Sequence, residues 1–288
     1  MTPISLEAPA KLNLSLRVVG RRPDGFHLLE TEMVLLELAD RLLLLPGATG
    51  LRVEAPAESE VPVDRTNLAW RGLVAALGGP PELACLTLEK RIPAGAGLGG
   101  GSSDAAAAWR LGRRIAGAPE AATPEDLVSL ATLGADVPFF AARAAAAHVA
   151  GIGELVTASD APSPDHAVLA YPAFRLSTGA VFAEVRASDL AAERPGGNDL
   201  LAAALRLLPE LDDLMRGVSA AGGEPRLTGS GSTIFALTDD PERAAAVAAA
   251  LRRSGVRVTE TRLRTQPAEI VEVGEMPGDA GAPAPSMG

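Results

Sequence analysis

Between Pro93 and Ser103 the chain reads Pro-Ala-Gly-Ala-Gly-Leu-Gly-Gly-Gly-Ser-Ser, with an alanine-rich stretch following Asp104. Five glycines between Gly95 and Gly101, then two serines at a helix start, remove side chains where backbone N–H groups must converge. Such a loop cradles phosphate, helped by the positive end of the helix dipole. It is not a Walker A loop, because Gly101 stands where a lysine would follow Gly100. Gly95, Gly97 and Gly100 do fit the dinucleotide spacing G-x-G-x-x-G, and Glu120 lies near the distance of a ribose-binding acid. Against that reading, the preceding strand carries Glu89, Lys90 and Arg91 and ends at Pro93, unlike the buried first strand of a dinucleotide fold, and Glu120 sits in the loop Gly117-Ala118-Pro119-Glu120.

Two other places could do chemistry. Lys11 and Asn13 fall on one face of an alternating segment, where an ordinary solvated face is the plain alternative. Asp136 lies in Gly134-Ala135-Asp136-Val137-Pro138, a turn between apolar segments, where an acid serves as readily to cap a helix. A lysine near an aspartate would supply a base kept ionised by the opposite charge.

The elements that must position these residues follow from periodicity. Lys11 to Val18 alternates polar and apolar, the mark of a half-buried strand, with Leu12, Leu14, Leu16 and Val18 toward the core. Arg22-Pro23-Asp24-Gly25 is a turn. Strands are expected at Met33 to Leu38, Arg41 to Leu45, Leu51 to Ala55, Leu83 to Ile92, Ala145 to Val149, Ala167 to Tyr171 and Val256 to Leu263, with a strand pair around Gly229-Ser230-Gly231. Helices are expected at Asn67 to Leu77, from Asp104 to about Ala116, from the cap Thr123-Pro124 to Thr132, and at Thr178 to Val185, Asp199 to Leu208 and Pro241 to Arg253. Amphipathic, hairpin-linked strands alternating with helices favour α+β over a doubly wound parallel sheet.

The segment Ala158 to Pro164 has no periodicity and marks a domain boundary, giving domains at 1–157 and 165–275. The tail 276–288, mostly Pro, Gly, Ala and Ser, is expected to be disordered.

Composition narrows the function. The 288 residues carry a net charge of −10 and no basic run, which argues against nucleic-acid binding. No apolar run approaches the roughly 18 residues of a membrane span. The opening lacks a basic-then-apolar signal, so a cytoplasmic protein is expected. A single cysteine, Cys85, excludes an intrachain disulfide and a cysteine metal cluster, and the three scattered histidines make a zinc enzyme improbable. Lys11 and Lys90 are the only lysines; the other 24 of the 26 basic residues are arginines. A lysine retained in such a chain is informative, because the two cations differ in geometry and hydration.

These residues carry a family resemblance. Ala8-Pro9-Ala10-Lys11-Leu12-Asn13-Leu14, Arg22-Pro23-Asp24-Gly25-Phe26-His27, the glycine-rich loop, Gly134 to Phe140, Gly197-Asn198-Asp199-Leu200 and Thr228-Gly229-Ser230-Gly231-Ser232 together resemble the 4-diphosphocytidyl-2-C-methyl-D-erythritol kinases of the GHMP kinase superfamily. The resemblance runs from about residue 8 to 265. It implies a two-domain α+β GHMP kinase-like fold with the active site in the interdomain cleft. It also implies ATP- and Mg2+-dependent phosphorylation of the 2-hydroxyl of the cytidine-linked sugar alcohol in non-mevalonate isoprenoid synthesis, by a monomer or homodimer.

By that resemblance Asp136 is the general base and Lys11 its partner. Pro93, Ala94, Gly95, Ala96, Gly97, Leu98, Gly99, Gly100, Gly101, Ser102 and Ser103 hold ATP, with Asn67 on the adenine side. Asn13 and Thr178 lie near the methylerythritol; Phe26 and Phe182 sandwich the cytosine and His27 hydrogen-bonds it. No carboxylate is an obvious dedicated metal ligand, so Mg2+ is expected on the ATP phosphates and Ser102 or Ser103. Phe26 stands where tyrosine is more familiar, and Gly179 where proline would follow the threonine. The alternatives are another GHMP kinase for a different small alcohol, or an NAD-binding oxidoreductase using Gly95, Gly97 and Gly100.

Overall fold

Strand β1 (Ile4–Arg21) pairs antiparallel along its length with β2 (His27–Pro46), and this long hairpin is the frame for everything else. The computed structural model describes residues 2–47, 49–57, 59–190 and 197–273. The expected tail at 276–288 and the last two residues of the expected second domain lie outside them.

Met33–Leu38 and Arg41–Leu45 belong to the single strand β2, not to two strands. The polar Asp40 between them is fully buried, and its carboxylate accepts the backbone N–H groups of Arg91 and Ile92, so no turn is needed to bring it to water. The first half of β2 pairs with β5 (Ala146–Gly151) and its second half with β4 (Ala84–Glu89), while β3 (Gly50–Glu54) joins β4 in parallel. A further strand, β6 (Leu155–Ser159), pairs with β5; it is largely exposed, so no apolar alternation marks it in the sequence. The chain returns at β11 (Val271–Glu272) to the outer edge of β1. A second, antiparallel sheet has the order β10 (Arg257–Arg262), β7 (His166–Tyr171), β9 (Ile234–Thr238), β8 (Arg226–Leu227). The architecture is α+β, as the hairpin-linked amphipathic strands implied.

Helices α1 (Leu68–Leu77) and α2 (Gly100–Ile115) cover the first sheet, placing Leu73 and Leu111 against Leu6, Leu42 and Leu86. Helix α3 (Pro124–Ala131) starts on the expected cap: Thr123 and Asp126 exchange side-chain and backbone bonds. Short α4 (Val137–Ala141) buries Phe139 against α2 and β5. On the second sheet, α5 (Thr178–Glu184), α6 (Leu201–Leu207), α7 (Glu210–Ala220) and α8 (Pro241–Arg253) enclose a core that also takes Leu16 and Val18 from β1. Leu12, Val34 and Leu36 meet Leu169 and Phe235 in a core shared between the sheets. Leu12 thus joins the lobes from one face of β1, while a register shift between Asn13 and Ser15 interrupts the alternation, so that Leu16 both packs into the second lobe's core and borders the cleft with Lys11 and Asn13. Among the described residues no helix is long and apolar enough to cross a membrane.

Candidate active site

The alternation of β1 sends Leu12 into the shared core and turns Lys11 and Asn13 to the opposite face. That face is not solvated. Lys11 and Asn13 are each only 3% exposed, and they form the floor of a cleft of about 590 Å3 between the lobes. A buried ammonium must be paired. Lys11 Nζ donates to Asn13 Oδ1 at 2.5 Å and lies 3.4 Å from Asp136 Oδ2. Asn13 is fixed in turn: its amide donates to Thr31 Oγ1 at 2.8 Å, and its backbone N–H reaches Thr228 Oγ1 across the lobes at 3.0 Å.

Asp136 stands at the position preceding α4, where a capping acid would sit, but its side chain makes no cap hydrogen bond. It faces Lys11 instead and keeps 30% of its side chain exposed to the cleft. Fixed by a cation on one side and open to a substrate on the other, this carboxylate has what a general base requires.

The glycine-rich loop forms the cleft wall. Gly95, Gly97 and Gly99 all have positive φ, and helix α2 begins at Gly100, four residues before the expected Asp104. Gly99 in the left-handed region turns the chain directly into the helix, so Gly100, Gly101 and Ser102 bring their N–H groups to the helix's positive end. The second lobe grips this loop: a Cβ on Gly97 would lie 2.5 Å from Gly231 O, and the Thr233 hydroxyl donates to Ala96 O at 2.7 Å. Asn198 holds the gripping turn by donating to Leu227 O and Gly229 O. Pro93 to Ser102 all line the cleft. Ser103 does not: it is buried on the side of α2 turned away from the cleft, near Arg110 and Phe140.

The remaining expected residues divide. Asn67 lines the cleft, but its amide is engaged in capping α1 at Ala69 N and in a bond to Pro62 O. Thr178 and Phe182, one turn apart on α5, line the opposite wall, and the Thr178 hydroxyl lies 3.0 Å from Ser230 Oγ. His27 stacks on Phe182 with ring centroids 5.1 Å apart, and burial followed by the Arg21 charge lowers its pKa. Phe26 is 62% exposed and outside the cleft lining, so Phe182 faces His27 rather than Phe26.

One cluster was not anticipated. Lys90 Nζ bonds both Asp40 and Asp104, at 2.7 Å for the second; the three side chains are almost wholly shielded from solvent, and Lys90 and Asp104 border the cleft under the loop. Burial works against the ammonium, but Asp104 and Asp40 outweigh it and raise its pKa. Burial pushes the Asp104 carboxyl up to about 8 against the attraction of Lys90, with the Asp40 charge adding to the rise. The one signal for this cluster is that Lys90 is the second of only two lysines. Glu120, the ribose candidate of the dinucleotide reading, is bonded to Arg110 and Arg114.

Model sequences for the GHMP kinases N terminal domain match residues 67–143, and those for the GHMP kinases C terminal domain match residues 184–257. A 4-diphosphocytidyl-2-C-methyl-D-erythritol kinase of Thermus thermophilus is 40% identical over 269 residues, 86% of this chain and 92% of the relative. One of Dinoroseobacter shibae is 38% identical over 272 residues, 86% and 90% of the two chains. This chain belongs to the 4-diphosphocytidyl-2-C-methyl-D-erythritol kinase family. The crystal structure of a 4-(cytidine 5'-diphospho)-2C-methyl-D-erythritol kinase superposes with a TM-score of 0.73 at 36% identity, covering 90% of this chain and 98% of that one. The two-lobed GHMP kinase fold, with its cleft between the lobes, is thus a family property. Membership also disposes of the oxidoreductase reading: this is an ATP-dependent small-molecule kinase.

Proposed function

We propose that the chain transfers the γ-phosphoryl group of ATP to the 2-hydroxyl of 4-(cytidine 5'-diphospho)-2-C-methyl-D-erythritol. The observation that carries the mechanism is the Lys11–Asp136 pair, 3.4 Å apart at the foot of the glycine-rich loop. Phosphoryl transfer asks for positioning and charge stabilisation more than covalent chemistry. The N–H groups of Gly99 to Ser102 and the positive end of α2 hold the ATP phosphates. Asp136 takes the proton of the acceptor hydroxyl as its oxygen bonds to the γ-phosphorus and the bond to the ADP oxygen breaks. Lys11 orients Asp136 and balances the charge that develops on the transferred group. Asn13 and Thr178 flank the sugar alcohol, and neutral His27 with Phe182 receives the cytosine once their stack opens; Phe26 reaches the base only by moving in from its exposed position.

Among the described residues no cluster of three or more acidic, histidine or cysteine side chains could hold a metal by itself. Ser102, the loop serine in the cleft lining, would hold an Mg2+ bound with ATP, which would supply neutralisation of the phosphate charge. An ATP donor fits a cytoplasmic reaction.

The test is ATP consumption with the cytidine-linked alcohol against mevalonate, homoserine and galactose. Strong preference for the first is expected; equal or better turnover of any other overturns the assignment.

A further inference from the structure

The hairpin between β5 and β6 turns through Gly151-Ile152-Gly153-Glu154, a segment the catalytic scheme leaves without a role. Glu154 ties the turn by accepting Ile152 N at 2.7 Å, and Gly153 N donates to Ala150 O at 3.2 Å. Ile152 and Gly153 line the cleft beside Ala135 and Asp136.

Gly153 touches the Asp136 loop from beneath. A Cβ at this position would lie 1.9 Å from the Ala135 carbonyl oxygen and 2.8 Å from its carbon. That is backbone, not the yielding end of a side chain, and the Ala135 carbonyl carbon is bonded directly to Asp136 N. The turn around it is closed, since Val137 N donates to Gly134 O at 3.0 Å. A push on the Ala135 peptide is therefore passed to Asp136 rather than absorbed.

We propose that Gly153 is a positioning residue for the phosphoryl transfer: its bare Cα sets the height of the Ala135–Asp136 peptide, and so the distance of the carboxylate from Lys11. The proposal rests on the reading of Asp136 as the base. Any side chain at 153 moves that peptide by roughly an ångström, a displacement able to cost about 100-fold in rate. Gly153 also has φ +117, so an alanine there adds backbone strain as well as the clash. Gly117 supplies the control: it has φ +68, so an alanine there meets comparable backbone strain, but a Cβ would have nothing within 4 Å and the residue lies outside the cleft lining.

The experiment uses the full chain. Gly153→Ala should lower kcat about 100-fold with the KM for ATP changed by less than about twofold, while Gly117→Ala stays within about threefold of wild type. In an Asp136→Asn background, Gly153→Ala should cause no further loss, because the group it displaces no longer acts. A kcat near that of Gly117→Ala, or the same proportional loss in both backgrounds, overturns the proposal. Should Gly153→Ala not fold, Glu154→Ala loosens the same turn without adding a Cβ there; a lower kcat at unchanged ATP KM is expected, and wild-type kcat overturns the proposal. The backbone amide resonances of Ala135 and Asp136 give a readout independent of turnover. They should shift in Gly153→Ala and not in Gly117→Ala, and unmoved resonances overturn the inference. Equal turnover of wild type and Asp136→Asn would instead sink the reading of Asp136, leaving the resonances to judge the coupling.

Discussion

Lys11 Nζ sits between two oxygens, 2.5 Å from Asn13 Oδ1 and 3.4 Å from Asp136 Oδ2, on a strand face that looks solvated in the sequence and is buried in the fold. The amide holds the ammonium in place and the carboxylate uses its charge. Asp136→Asn keeps the shape and removes the base, so turnover should fall about 100- to 10,000-fold while ATP still binds. Lys11→Met should also cut turnover, and the double variant should be little worse than the poorer single one, because the pair acts as a unit. Asp136 caps nothing, but its charge partners the buried Lys11 ammonium, so Asp136→Asn should lower the melting temperature and adding Lys11→Met should recover part of that loss. Turnover and melting curves for the three variants decide this; more than roughly a tenth of wild-type turnover in Asp136→Asn excludes it as the base.

The loop glycines should differ in what they disturb. A Cβ on Gly99 would lie 3.0 Å from both Lys11 Cγ and the ring edge of Phe140, at φ +70. Gly99→Val should therefore raise the KM for ATP and lower kcat together. A Cβ on Gly100 presses on Ile92 and the Lys90 ammonium, away from Lys11, so Gly100→Val should act mainly on ATP binding. Steady-state kinetics at varied ATP separate the two; an unchanged ATP KM in both would mean that the loop is not the nucleotide cradle.

Removing Lys90 would leave Asp40 and Asp104 buried together with their cation gone. Breaking a buried pair in this way typically costs about 3–5 kcal/mol, so Lys90→Met should lower the urea midpoint sharply. A change no larger than that of substituting an exposed arginine such as Arg65 would contradict the burial seen here.

The same cluster sets a pH dependence. Asp104 keeps its proton up to about pH 8 in the fold but releases it near the ordinary aspartate value of 3.8 when unfolded. Between those limits the folded chain binds more protons, so this group's contribution is complete below the lower limit and declines as pH rises toward the upper one. Asp104→Asn should remove that decline. The difference in urea midpoints between wild type and variant, followed across this window, should change steadily with pH; a flat difference refutes the shifted carboxyl.

Phe182 should matter to one substrate only. Base–aromatic stacking is worth about 1–3 kcal/mol per base, so Phe182→Ala should raise the KM for the cytidine-linked alcohol by roughly 5- to 150-fold on that scale and leave that for ATP near wild type. A matched rise in both would place Phe182 in the structural core instead.

The sequence by itself determined the chemistry's ingredients and the local elements. The five glycines, the Thr123-Pro124 cap and the alternation of Lys11 to Val18 act through neighbours a few residues away, so the loop, the start of α3 and the face shared by Lys11 and Asn13 were legible. The fold decided what those faces meet. Whether Lys11 was solvated or catalytic depended on Asp136, which lies more than a hundred residues along the chain and reaches it only because β5 and α4 pack beside β1 and β2. Asp40 lies in β2, Asp104 in α2 and Lys90 just past the end of β4, and no periodicity links them. The pairing of His27 with Phe182, and the exposure of Phe26, depend on how the second lobe seats against the first hairpin. Local spacing fixes φ, ψ and which side a residue faces; only packing over long sequence separation sets what stands opposite, because charge pairs and ring stacks are decided by distance in space.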